Sequence, residues 1–143
     1  MIVRTVLKHK GDRVITVAST DRIDDVCRVL SDNRIGAAPV CGPDGALVGM
    51  LSERDIVLSL ARAGGACLDL TAADLMAQEI VTGTPEDSID DIMVLMTEGR
   101  FRHLPIIDKG TLAGIISIGD VVKARIAEIE LERDAMKQYI ATG

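Results

Sequence analysis

The chain has 143 residues, 48% of them hydrophobic, with one Phe, one Tyr, no Trp and a formal charge of −6. The acidic balance excludes a nucleic-acid surface, which needs a basic stripe to displace counterions, and the lack of aromatics excludes a platform for stacking bases. With so few aromatics any core must be aliphatic, and a half-chain of about 60 residues buries too little surface to stand comfortably alone, so two halves are expected to pack together.

Val14 to Val17 reads as a strand, followed by capping oxygens at Ser19, Thr20 and Asp21. Ile23, Val26, Cys27 and Leu30 then fall at i, i+3, i+4 and i+7, which predicts an amphipathic helix stopping near Asn33. A hairpin follows, Ala37 to Cys41 and Leu47 to Leu51 around the turn Gly42 to Gly45. The next helix starts at Ser52, with Ile56, Val57 and Leu60 predicted to face inward, and Gly64-Gly65 ends it. Leu70 to Met76 reads as a short connecting helix.

The same order then recurs. Ile89, Ile92, Met93 and Met96 mark a helix stopping near Gly99, and His103 to Ile107 with Leu112 to Ile116 form a hairpin around Asp108 to Gly110. Asn33 and Gly99 are residue types that tolerate a left-handed turn. Pro39 and Pro105 each sit in a strand, which predicts an edge or strand-start position. The last helix runs from Ser117 to about Ile140, on the order of 36 Å. Val122, Ile126, Ile129, Met136 and Ile140 form a seam along it, interrupted by Arg133 and flanked by Glu128, Glu130 and Glu132. The stripe outruns its own core and predicts a homodimer contact, the alternative being a tail folded back on its own domain.

The recurrence extends to side chains. Gly49, Ser52 and Asp55 answer to Gly114, Ser117 and Asp120, and Asp21 to Val26 answers to Asp87 to Ile92. A period of about 65 residues present only twice is no solenoid. It predicts an α+β fold of two βαββα repeats packed as a pseudo-twofold pair, with a long C-terminal helix. The divisions are 1–65, the first repeat with an N-terminal extension; 66–123, the second repeat with its connecting helix; and 124–143, the helical extension.

Ser-x-x-Asp opening an apolar helix is a capping box that needs no ligand. Here each copy lies at a strand-to-helix turn behind a glycine, which lets another group approach the backbone closely. The helix start offers amides and a positive dipole end to phosphate, and the Asp can accept from two vicinal hydroxyls, as on ribose. Ser for phosphate and Asp for ribose together describe a nucleotide half-site.

Gly49 to Asp55 and Gly114 to Asp120, each behind a Pro-containing strand and in tandem, resemble the paired cystathionine-beta-synthase (CBS) domain, or Bateman module. The likeness runs from about Val3 to Val122. The stretches Ser52-Glu53-Arg54-Asp55-Ile56-Val57 and Arg100-Phe101-Arg102-His103-Leu104-Pro105 are similar to stand-alone bacterial CBS-pair proteins. The resemblance implies an adenosine-containing ligand (AMP, ADP, ATP, NAD(H) or S-adenosylmethionine) in the cleft between the repeats. It implies that Ser117 and Asp120 work with Thr16, Val17 and Ala18, and Ser52 and Asp55 with Thr82, Gly83 and Thr84. Backbone near Ala37-Ala38 and His103-Leu104 would meet the adenine edge between aliphatic walls such as Met50 and Ile116. Arg102 and His103 resemble phosphate-reaching residues, the alternatives being a surface charge and a half-buried strand residue. Repeat one has Gly36-Ala37 there, and Arg54 either compensates in part or lies on a solvated helix face. The site containing Asp120 is therefore expected to be the stronger.

Cys27, Cys41 and Cys67 are scattered outside any CxxC spacing, and with His9 and His103 as the two histidines they predict reduced thiols and no metal site. Reduced thiols, no secretory signal and no run of about 20 apolar residues predict a cytoplasmic protein without a membrane contact. His103 lacks a nucleophile partner in its motif, and phosphate-loop patterns are missing. The expectation is a non-enzymatic nucleotide-sensing module with no obligatory cofactor, a homodimer acting on an unidentified regulated protein. The alternative is a ligand-independent dimeric scaffold.

Overall fold

The computed structural model describes residues 1–11 and 13–142. The elements in chain order are α1 (Val3–Lys10), β1 (Val17–Ala18), α2 (Ile23–Asn33), β2 (Ala37–Cys41), β3 (Leu47–Ser52), α3 (Glu53–Ala63), a 3₁₀ turn (Gly64–Asp69), α4 (Ala72–Leu75), α5 (Ile89–Gly99), β4 (His103–Asp108), β5 (Thr111–Ser117) and α6 (Ile118–Thr142). They form two compact units, Arg13–Val81 and Met1–Asp12 with Thr82–Gly143.

In the unit Arg13–Val81, β2 pairs antiparallel with β3, and β1 joins β2 in parallel through Val17↔Val40 and Ala18↔Cys41. Ile23, Val26 and Leu30 of α2 pack on Ala38, Val40 and Leu51 of this sheet, with Ile56, Cys67 and Ala72 completing the core. The other unit holds the hairpin β4–β5, and its core joins Ile89, Ile92 and Met96 of α5 to Leu104, Ile106 and Ile116, with Val3 and Val6 from α1 and Val121 and Ala124 from α6. Both cores are built from aliphatic and small side chains, each large one contributing about 1.5–3 kcal/mol on burial.

The packing units cut across the sequence copies. Helix α1, at the head of the first copy, packs in the unit of the second, and α4, at the head of the second, packs in the unit of the first. The two docks follow one pattern. Thr71 bridges Arg22 and Ile2 bridges Ser88, in each case beside the first residue of the following long helix. Ala72 N–H donates to Asp21 O at 2.8 Å and Ile23 N–H to Leu70 O at 2.8 Å. Their counterparts are Val3 N–H to Asp87 O at 2.9 Å and Ile89 N–H to Met1 O at 3.1 Å.

Several elements depart from the sequence expectations. The first strand is Val17–Ala18 in one copy and a single parallel bridge, Gly83↔Ile106, in the other. Helices α2 and α5 end as expected, but the left-handed residues are Arg34 and Arg100, one position past Asn33 and Gly99. Gly99 serves proximity, since a Cβ there would run into the Phe101 ring. Pro39 lies in the middle strand β2 and not at an edge; β1 pairs with that strand only at Val40 and Cys41, beyond the proline. On α3 only Ile56 is buried, while Val57 and Leu60 are 61% and 38% exposed.

The connecting helix is confined to Ala72–Leu75. Helix α6 buries Val121 and Ala124 alone, and Val122, Ile126, Ile129, Met136 and Ile140 lie exposed.

Candidate functional site

Each hairpin ends in the expected strand-to-helix turn. Ser52 is the N-cap of α3: its N–H donates to Asp55 Oδ2 at 2.9 Å, its hydroxyl donates to the same oxygen at 3.0 Å, and Asp55 N–H donates to Ser52 Oγ at 3.3 Å. At the second turn Ser117 N–H donates to Asp120 Oδ2 at 2.9 Å and Asp120 N–H to Ser117 Oγ at 3.1 Å. Both carboxylates are thus folded back onto their own turn. The same geometry recurs in Thr71 and Asp74 at the head of α4, where no ligand role was expected. None of these bonds reaches Oδ1 of Asp55 or Asp120, so each keeps acceptor capacity for a hydroxyl.

The helix-start amides are less available than the motif suggests. Glu53 N–H is taken by Gly36 O and Ile118 N–H by Arg102 O, both at 2.8 Å. With Asp55 and Asp120 N–H bonded to the serines, the amides not engaged in this way are those of Arg54 and Gly119. The glycines do admit a close neighbour, but a side chain of the same unit. A Cβ on Gly49 would sit 2.5 Å from Met76 Sδ, and one on Gly114 2.7 Å from Leu7 Cδ2. Met76 and Leu7 follow α4 and lie on α1, so the exchanged segments cover equivalent points of the two copies.

The two acids differ in one respect. Lys10, in the last turn of α1, donates from Nζ to Asp120 Oδ2 at 2.7 Å and to Ile115 O at 2.8 Å. Asp55 has no cation partner among the described residues. Burial pushes the Asp120 carboxyl up, but the Lys10 ammonium and the Ser117 N–H outweigh it and hold the group below its usual range. Register explains the asymmetry: α1 stays helical for three residues beyond Leu7, whereas α4 ends at Leu75 and the chain turns extended at Ala77. By that register the counterpart of Lys10 is Glu79. Lys10, His9 and Lys123 line a cavity of about 370 Å³ beside Asp120, floored by Val6 and Ala124. Sequence reading missed this pocket because Lys10 stands 110 positions from Asp120.

The remaining expected residues are placed as follows. Thr16 and Thr82 are exposed, while Ala18 and Thr84 give their N–H groups to Asp21 and Asp87 at 2.9 and 2.8 Å. Val17 is buried. Gly83 is buried too, and its backbone is committed to β4 through Pro105 O and Ile107 N, both at 2.9 Å. Ala37, Ala38 and Leu104 are buried, Ala38 and Leu104 within the two cores. Ile116 is fully buried and cannot serve as a wall; strand alternation makes Ile115 the counterpart of half-buried Met50. Arg54 and Arg102 are exposed with no ion pair among the described residues, and His103 is half-buried, paired in register with Ser117. Burial raises the thiols of Cys27 and Cys41, and Cys67 is buried. Among the described residues no group of three His, Cys, Asp or Glu side chains could hold a metal, and no helix is long and apolar enough to cross a membrane.

A family model described as the CBS domain matches residues 5–62 and again 72–127. The chain belongs to the CBS-domain family. Among solved structures it is similar to a CBS-domain containing protein, ATU1752, from Agrobacterium tumefaciens, 41% identical with a TM-score of 0.84, covering 87% of this chain and 92% of that one. It is 35% identical over 109 residues to the CBS domain-containing protein YhcV of Bacillus subtilis, 76% of each chain. The CBS domain pair of protein MJ0100, solved with 5′-methylthioadenosine and S-adenosylmethionine, shares the fold at a TM-score of 0.79 and 21% identity, covering 90% of this chain and 98% of that one. CBS pairs are regulatory modules, and the two CBS copies here each carry one Gly-x-x-Ser-x-x-Asp turn, at Gly49 to Asp55 and Gly114 to Asp120.

Proposed function

We propose that this CBS pair is a non-enzymatic regulatory module that binds an adenosine nucleotide, of the AMP, ADP, ATP or NAD(H) class, at Asp55 and Asp120. The observation that carries the reading is the duplicated carboxylate. Each is fixed through Oδ2 on a capping turn and keeps Oδ1 for a sugar hydroxyl. The adenosine ligands of the MJ0100 pair, on the same fold, support that ligand class. Thr16, Val17, Ala18, Thr82 and Thr84 contribute around the sugar. Occupancy regulates a partner to the extent that the nucleotide binds one arrangement of the protein better than another.

A second reading is favoured by the Thr71–Asp74 turn: the same geometry there is only a helix cap, so the protein is a scaffold without a ligand. Thermal melting with AMP, ATP, NADH and S-adenosylmethionine separates the two. A ligand at 100 times its dissociation constant adds about 2.7 kcal/mol, several degrees of midpoint at roughly 2–6 °C per kcal/mol. A shift with a nucleotide supports the sensor, and no shift with any of the four supports the scaffold.

A further inference from the structure

The pocket between α1 and α6 concentrates positive charge on an acidic chain. His9, Lys10 and Lys123 line it against one carboxylate, Asp120, while Glu128 on the same helix is turned to the amino terminus of Met1 at 2.6 Å. Its floor at Val6 and Ala124 is apolar, each only 7% exposed. At about 370 Å³ it is near the lower end of the roughly 300–1,000 Å³ of small-molecule sites. Lys10 already bonds to an anion and a carbonyl at the rim, so its ammonium is held where an incoming acceptor would meet it.

We propose that this pocket is a phosphate subsite: Lys10 and Lys123 hold the phosphate of a mononucleotide whose ribose hydroxyls go to Asp120, Lys10 exchanging the carboxylate for the phosphate as the nucleotide enters. The proposal rests on the nucleotide-sensor reading and narrows it to a phosphorylated mononucleoside. Lys10 gives nothing to a neutral nucleoside, which takes the open Oδ1 of Asp120 and leaves the ion pair on Oδ2 as it is. It favours a phosphorylated one, which supplies a charge-assisted replacement.

Isothermal titration with AMP and with adenosine, on wild type, Lys10→Gln, Lys123→Gln and the double variant, tests this. Lys8→Gln is the control, removing the same charge from the same helix outside the pocket. Wild type is expected to bind AMP at least tenfold tighter than adenosine. The double variant should lose at least tenfold for AMP while binding adenosine as tightly or more tightly, and Lys8→Gln should change neither by more than twofold. Raising salt on wild type gives a readout independent of the variants, weakening AMP more than adenosine. Equal wild-type affinities, an AMP loss below threefold in the double variant, or equal losses for both ligands each overturn the subsite while leaving the sensor reading intact. Failure of wild type to bind either ligand overturns the subsite, and the sensor reading falls with it only when thermal melting also shows no shift with ATP, NADH or S-adenosylmethionine.

Discussion

Lys10 Nζ stands 2.7 Å from Asp120 Oδ2, although the two residues come from opposite ends of the chain. Both acids receive the N–H of their own serine, but Asp55 takes the Ser52 hydroxyl where Asp120 takes the ammonium. Two turns with the same sequence signature therefore differ in charge environment, because one exchanged helix runs on and the other stops.

The ion pair sets a pH dependence. The Asp120 carboxyl is held below its unfolded value of about 3.9, so the pair's contribution is present above that value and lost as pH falls through the lower, folded one. Carboxyl NMR titration should find Asp120 ionised below pH ~3.9 in wild type. In Lys10→Gln the midpoint should rise. An unchanged midpoint would show that Lys10 contributes nothing to the shift.

The diol contact predicts a selective loss. Asp120→Asn should weaken AMP tenfold or more and its 2′,3′-dideoxy analogue by less than threefold, measured by titration calorimetry. Equal losses for the two would refute the ribose assignment.

Filling the glycine contacts should destabilise. Gly114→Ala meets the flexible end of Leu7, whereas Gly49→Ala meets Met76 and also the Ala77 carbonyl at 3.0 Å. Urea unfolding should give Gly49→Ala a loss of about 1–3 kcal/mol and Gly114→Ala a smaller one. Leu7→Ala should cost less in the Gly114→Ala background than in wild type, because the added methyl fills part of the space.

The α6 seam predicts association. Ile126 and Ile129 are 52% and 51% exposed on a helix whose other face is buried at Val121 and Ala124. Should a second copy cover them, Ile126→Glu with Ile129→Glu converts a dimer to a monomer in analytical ultracentrifugation, with helical content retained. A wild-type monomer at all concentrations would overturn the homodimer that the seam predicts.

Local pattern carried much of this far. The spacing of Ile23, Val26 and Leu30 placed a buried helix face, and the Gly-to-Asp signatures placed both turns. The family resemblance named Ile116 as a wall, whereas Ile115, opposite Pro105 as Met50 is opposite Pro39, is the residue equivalent to Met50. The inward facing of Val57 and Leu60 failed because periodicity reports an apolar stripe without saying whether anything covers it.

Sequence by itself determined the duplication, the hairpins, the capping turns and the aliphatic character of the cores, since each follows from contacts within a few residues or from composition. Tertiary structure alone decided that α1 and α4 trade repeats, that Leu7 and Met76 fill the space above Gly114 and Gly49, and that Lys10 meets Asp120. An amphipathic helix carries the same apolar stripe whichever sheet it covers. Its partner is chosen by the free energy of long-range packing, which no local spacing records.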